Sequence, residues 1–277
     1  MTILVTGATG NIGRHVVDRL IQAGARVRAL TRNPAAANLP DSVEVIQGDL
    51  ECLETLAPAF ENVERMYLFP VPATATEVAE MAKKAGVRRI VTLSSASAPW
   101  EARYHPRGLY FLLVERAVEA AGVEWTHVRP VGLMLSTLGW AETIRAEGVV
   151  RAPYGAAAYP HVHEADVAEV ATAALLGDGH AGRKYTVSGP EPITQIEQAR
   201  AIGAAIGREI RFEELTPEQA RKLWSPFMPD AEIDTELMIL GESVDKPQKV
   251  WKTFEQVIGR PGRNYAQWVA DHANDFR

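Results

Sequence analysis

Ile3-Leu4-Val5-Thr6-Gly7-Ala8-Thr9-Gly10-Asn11-Ile12-Gly13-Arg14-His15-Val16-Val17 is the stretch that decides the fold. Its apolar start, without a polar break, reads as a strand buried on both faces of a parallel sheet. Three glycines follow at G-x-x-G-x-x-G spacing, and the apolar periodicity of Val16, Val17, Leu20 and Ile21 then opens a helix. Gly7 allows the tight turn off the strand. Gly10 keeps side chains away from the backbone amides, and Gly13 lets the helix sit close to the sheet. Unpaired N–H groups at a helix start, with the helix dipole behind them, favour bound phosphate. Strand, glycine loop and helix in this order predict a site for the diphosphate of a dinucleotide.

Working outward, Ala23-Gly24 stops the helix and residues 25–30 form a second strand. Arg32 follows about twenty residues after the glycines, where an acidic residue would hold the ribose hydroxyls of NAD. A guanidinium cannot accept that bond but clamps a 2′-phosphate with two donors, and Arg14 can assist from the first helix. The alternative is a solvated strand-end arginine. The reading is NADP(H), with NAD(H) left open. Residues 43–50 read as a third strand, after which Asp49 either reaches an adenine amino group or caps the next turn. A helix through Leu53, Leu56 and Phe60 is expected next, then a strand over 63–69 and the stiff Pro70-Val71-Pro72 loop. A helix over 73–86, a strand over 88–93 ending in Ser94-Ser95, a helix over 109–121 and a strand over 124–130 complete the series. This alternation predicts an α/β fold, a doubly wound parallel sheet of the Rossmann kind.

The rhythm changes after Pro130. Residues 131–138 and 148–159 are apolar but irregular, 161–176 resume as a helix, and 184–188 read as a strand. From Ile193 the pattern is helical. The expected organisation is a dinucleotide-binding domain over 1–150, to which 161–188 returns, interleaved with a smaller, mostly helical substrate-binding lobe over 151–277.

A net charge of −6 among 277 residues offers no basic face, which argues against a nucleic-acid partner. The single cysteine, Cys52, fits a reducing cytosol. With no leader before the first strand and no long apolar run, a cytoplasmic chain without a membrane partner is expected. His161-x-His163 has a ligand spacing without further partners nearby, so no metal is expected. A homodimer stays open.

Several further motifs follow in order: Thr31-Arg32-Asn33-Pro34, Gly48-Asp49-Leu50, Ser94-Ser95, Glu115, Trp125-Thr126, Arg129-Pro130, His163-Glu164-Ala165-Asp166-Val167-Ala168 and Gly189-Pro190-Glu191. With the glycine loop, this order resembles the NmrA-like atypical short-chain dehydrogenases, which include bacterial NAD(P)H:quinone reductases. The resemblance covers nearly the whole chain. It implies NADP(H) at the carboxyl edge of the sheet and substrate between that edge and the small lobe. Some members reduce quinones or other small molecules, whereas others bind the cofactor as redox sensors. The expected cofactor-binding residues are Gly7, Thr9, Gly10, Asn11, Ile12, Gly13, Arg14, Arg32, Asn33, Asp49, Leu50, Phe69, Pro70, Val71, Ser94 and Pro130.

Classical short-chain dehydrogenases pair a tyrosine with a lysine four residues later, whose charge lowers the tyrosine pKa. Here Tyr104 is followed at that distance by Gly108 and Tyr110 by Val114, and no lysine lies between Lys84 and Lys184. In quinone-reductase relatives a Lys or His often stands four residues before the position of Glu115; here that place is Phe111. Hydride transfer to a quinone survives this loss, because the product anion is resonance-stabilised and makes little demand on a general acid. Ser94 or Ser95 could hydrogen-bond the developing oxyanion or the nicotinamide amide, or merely satisfy the strand end. His105 is a candidate proton donor. Trp100, Tyr104, Met134, Trp140, Tyr154 and Trp224 are the expected substrate-binding residues, suited to an aromatic ligand if they do not simply fill the lobe's core. The expectation is an NADPH-dependent reductase of a quinone or other aromatic small molecule, including a tailoring or oxygenation step on an aromatic natural product. The alternative is a non-catalytic NADP(H)-binding regulator; an epimerase would need the missing base.

Overall fold

The computed structural model describes residues 1–100 and 106–277. Seven strands make one sheet, in which every pairing is parallel. In chain order β1 is Thr2–Thr6, α1 Asn11–Gln22, β2 Arg26–Thr31, β3 Glu44–Gln47, β4 Arg65–Leu68, α2 Ala75–Lys84, β5 Arg89–Leu93, α3 Pro106–Ala121 and β6 Glu124–Pro130. Next come α4 Ala141–Glu147, β7 Val149–Ala152, β8 Ala158–Tyr159, α5 Glu164–Leu176 and β9 Arg183–Val187. The sheet order is β3-β2-β1-β4-β5-β6-β9, so the chain crosses back past β1 after β3 and then runs outward from β4 to β9 at the far edge.

Each face of the sheet has its own core. Val16, Val17 and Leu20 of α1 pack with Val167, Val170, Ala171 and Leu175 of α5 over Ile3, Val5 and Val91. On the other face, Val78, Ala79 and Ala82 of α2 and Val114 and Val118 of α3 cover Leu4, Met66 and Ile90. Burial of the strands on both sides explains their unbroken apolar runs.

The remaining elements are β10 Ile193–Thr194, α6 Gln195–Ile206, β11 Arg211–Glu214, α7 Pro217–Trp224, α8 Asp230–Asp245, α9 Thr253–Ile258 and α10 Tyr265–His272. Helices α4, α6 and α10 enclose a third core around Ile144, Ile202 and Trp268. Small ladders β10–β8 and β11–β7 tie this helical region to the segment between β6 and α5. Capping boxes at Thr194, Thr216 and Asn264 start α6, α7 and α10, each side chain accepting from the amide three residues on.

Three expected elements differ. The helix through Leu53, Leu56 and Phe60 is two short 3₁₀ turns, Leu53–Thr55 and Ala57–Phe60. Pro58 has no N–H to give to an α-helical ladder, yet Leu56 and Phe60 remain buried. α5 begins at Glu164, because the His163 side chain caps it by accepting from the Ala165 amide at 3.1 Å. The irregular stretch after Pro130 contains a 3₁₀ segment, Met134–Trp140, that runs into α4, a helix not anticipated.

Candidate functional site

The glycine loop leaves the carboxyl end of β1. Gly7 has φ +61°, and its carbonyl accepts from the Gly10 amide at 3.0 Å. A Cβ on Gly13 would come within 2.0 Å of the Gly7 oxygen, so only glycine allows α1 to seat so close. The Thr6 hydroxyl donates to the Tyr67 carbonyl at 3.0 Å and accepts from the Phe69 amide at 2.7 Å, pinning the end of β4 beside the loop. Phe69 lies against Gly7 and stays 44% exposed, a ring at the lip of the loop. At Gly10 no side chain caps α1. A Cβ there would meet only the Gly7 oxygen, at 3.2 Å, and otherwise open space. The exposed start of α1 at Asn11, with buried Ile12 anchoring the turn, therefore suits a diphosphate on bare amides.

Arg14 is a strut. Its guanidinium donates to the carbonyls of Thr9 at 3.0 Å and of Ala37 and Asn38 at 3.3 Å, linking the glycine loop to the loop after β2. Arg32 and Asn33 are exposed beside it, and Arg32 has no carboxylate partner among the described residues. Such a guanidinium can take a phosphate without first breaking an ion pair. Asp49 accepts from the Glu51 amide at 3.1 Å, which is the capping alternative for this residue. Leu50, Phe69 and Val71 pack with Leu68, Thr74, Ala75 and Val78 around a shallow apolar dimple too tight to admit water. The Pro70 carbonyl accepts from the Tyr110 hydroxyl at 2.8 Å. Burial and nearby Glu51 push that phenol up, away from the acid strength that a proton donor needs.

The two serines after β5 part company. Ser94 is buried and donates to Glu115 at 2.5 Å, whereas Ser95 is half-buried and shares a hydrogen bond of 2.9 Å with Ser97. Glu115 also accepts from Arg129 through Nε at 2.8 Å and an Nη at 2.5 Å. Burial would raise this carboxyl, but the bonds from Arg129 and Ser94 hold it below the usual range. The Ser94 hydroxyl thus gives its hydrogen to Glu115 and leaves only its oxygen lone pairs for a further partner. Lys184 of β9 turns the same way, 2.8 Å from Glu119. Glu115, Glu119 and His127 converge as ligands might, yet Arg129 and Lys184 already neutralise the carboxylates. The cluster is an ion-pair network under the sheet. Pro130, at the end of β6, accepts from the Ala96 amide at 3.0 Å and aligns the β5 and β6 loops.

Of the expected substrate residues, Trp100 is 42% exposed just after β5. Met134 is buried in the third core and Trp140 packs partly buried against that core, the core-filling alternative for these two. Tyr154 and Trp224 pack against the small cluster of Ala220, Ile233 and Leu237. Tyr104 and His105 lie outside the described residues. His161, weighed in the sequence only as a metal ligand, meets the aromatic Tyr159 and, unforeseen, Gln198 where β6 and β9 end.

Residues 7–178 match a protein family described as NAD(P)H-binding. The chain belongs to that family. It is 40% identical over 99% of both chains to the (4-alkanoyl-5-oxo-2,5-dihydrofuran-3-yl)methyl phosphate reductase of Streptomyces griseus subsp. griseus. It is 32% identical, again over 99% of both, to the NAD(P)H azoreductase of Xenophilus azovorans. Its fold superposes on the NADPH-dependent quinone oxidoreductase QOR2 of Escherichia coli with a TM-score of 0.81 at 24% identity, covering 98% of this chain and 99% of that one. The resemblance to the NmrA-like reductases holds. This family member is an NAD(P)H-dependent oxidoreductase of Rossmann type. Among the described residues, no helix is long and apolar enough to cross a membrane.

Proposed function

We propose that this oxidoreductase prefers NADPH and delivers its hydride to a quinone or another flat, conjugated small molecule. Residues 1–150 with 161–188 would form the dinucleotide domain and the rest of 151–277 the substrate lobe, in the cytoplasm. The observation that carries the reading is a set of exposed rings at one edge. Phe69, Trp100 and Tyr110 are 44%, 42% and 41% exposed on the loops beside Gly7 and at the start of α3. Exposed aromatic faces around a polar cradle suit a planar ligand.

The cofactor, when bound, supplies two electrons as hydride. Gly7, Gly10 and Gly13 would seat its diphosphate, and Arg32 its 2′-phosphate. Ser95, the more accessible serine, is placed to donate to oxygen near the β5 end. Substrates reduced to resonance-stabilised anions match a site whose Tyr110 is engaged with a backbone carbonyl. The same chemistry serves a tailoring step on an aromatic natural product.

The test is NADPH oxidation against a panel of benzo-, naphtho- and anthraquinones, with dinucleotide affinity measured by calorimetry. Turnover that saturates with at least one quinone supports the reading. Tight NADPH binding with no acceptor would favour a regulator that senses the cofactor, a reading supported by the engaged Tyr110. Failure to bind either NADPH or NADH would remove both.

A further inference from the structure

The segment 160–162 is threaded between the ends of two strands. The Val162 amide donates to the Gly132 carbonyl at 2.7 Å just past β6, and the Gly189 amide just past β9 donates to the Pro160 carbonyl at 2.8 Å. His161 is therefore held at the carboxyl edge of the sheet, where open α/β sheets bind their ligands. Its ring lies over Gly132, where a Cβ would come within 2.9 Å of the imidazole Cδ2 and 3.4 Å of Nε2. Tyr159 flanks it with ring centres 5.4 Å apart. From the other side of the seam, buried Gln198 of α6 donates its side-chain amide to Nδ1 at 3.3 Å. Nδ1 then carries a lone pair and Nε2 the hydrogen, since one ring nitrogen's bond sets the state of the other. Nε2 is neither a sealed orphan nor bonded to any described residue.

We propose that His161, as a neutral imidazole with its hydrogen on Nε2, is the catalytic hydrogen-bond donor that polarises the acceptor's carbonyl, and that Gln198 is the positioning residue that locks this tautomer. This inference rests on the reductase reading above. A neutral imidazole does not surrender its N–H proton; it stabilises negative charge on oxygen as that charge forms. Bound NADPH would supply hydride to the acceptor and be left as NADP⁺. The acceptor's π pair moves onto the oxygen facing Nε2, and water supplies the proton that neutralises it. Burial keeps the imidazole in this role, pushing its pKa down to about 4. Neither Gln198 nor Tyr159, whose phenol burial pushes up, carries charge at neutral pH.

The test uses the full chain with NADPH, menadione as acceptor and 4-nitrophenolate as a probe of oxyanion binding. His161→Phe keeps a ring in the space. It should lower kcat about 100-fold, the usual effect of losing one oxyanion donor, while NADPH affinity and melting temperature stay near the parent's. His161→Gln, which restores an N–H, should recover at least about tenfold of that loss. Imidazole ¹⁵N NMR should show Nε2 protonated and Nδ1 bare in the parent, with the two forms mixed in Gln198→Leu. Binding of 4-nitrophenolate should weaken at least about tenfold in His161→Phe. A His161→Phe kcat within threefold of the parent, an Nδ1-protonated ring or unchanged 4-nitrophenolate affinity would each overturn the proposal. Should the parent reduce no quinone at all, the reductase reading fails, and the NMR and 4-nitrophenolate results decide the role of His161 by themselves.

Discussion

Gly13 sits so close to Gly7 that a single added carbon would stand 2.0 Å from the Gly7 oxygen. The helix start and the loop are thus one closely packed piece. Gly13→Ala should lower the melting temperature and abolish measurable NADPH binding by calorimetry. Gly10→Ala, whose Cβ meets only the Gly7 oxygen at 3.2 Å, should keep the fold but weaken NADPH binding at least about tenfold, by covering the amides that face phosphate.

Arg32 is exposed and Arg14 is occupied with three backbone carbonyls. Their substitutions should therefore behave differently. Arg32→Asp should leave the melting temperature unchanged, weaken NADPH at least about tenfold and improve NADH, because a carboxylate repels the 2′-phosphate and accepts from ribose hydroxyls. Arg14→Ala should loosen both cofactors and lower the melting temperature, as its strut joins two loops. Equal loss of NADPH and NADH on Arg32→Asp would refute the assignment.

The Ser94–Glu115–Arg129 network joins the end of β5, α3 and β6 out of reach of water. Removing Arg129 leaves the buried Glu115 carboxylate with only Lys184, 3.9 Å away, as a countercharge. Arg129→Met should cost about 3–5 kcal/mol in urea unfolding, and the double change Glu115→Leu with Arg129→Met should recover most of it. A single variant as stable as the parent would contradict this account.

His127 is wholly buried and stacked on Trp125 with ring centres 4.7 Å apart; its ring nitrogens make no hydrogen bond among the described residues, and Nε2 stands 3.3 Å from the Glu119 carboxylate. Burial pushes its pKa down to about 4. As pH falls from about 6.5 toward 4 the unfolded chain takes up a proton that the folded chain refuses, so stability drops through that window. His127→Phe should flatten the drop in melting temperature between pH 7 and 5, with little change at pH 7.

His272 has the opposite sign. Burial would lower its pKa, but bonds to Asp275 and Glu164, both 2.9 Å, raise it overall. Its contribution is complete below the ordinary histidine pKa and is lost as pH rises through the raised value. His272→Phe should therefore cost stability at pH 6 and little at pH 9. The difference is read from thermal melts at the two values.

Much of the fold was legible because its signals are local. Gly24, Gly86 and Gly122, each with φ above +70°, end α1, α2 and α3 where the periodicity breaks, and the six apolar runs to Pro130 became strands of one sheet. The helix expected at Leu53 failed on one proline, whose missing N–H mattered more than the spacing of its neighbours. Of the proposed site, only the part built from backbone, the glycine loop, could be read from neighbouring residues.

By itself the sequence determined the strand–loop–helix unit at Gly7, the parallel alternation that follows and an arginine in place of an acid after β2, since each is written in neighbouring residues. Only the tertiary structure decided that Ser94 serves Glu115, that Met134 and Trp140 fill a core, and that Gln198 meets His161. Those pairings join residues 21 and 37 positions apart or distant helices. Which side chains meet across such distances follows from how the whole sheet and its helices exclude water, and no short stretch of chain carries that information.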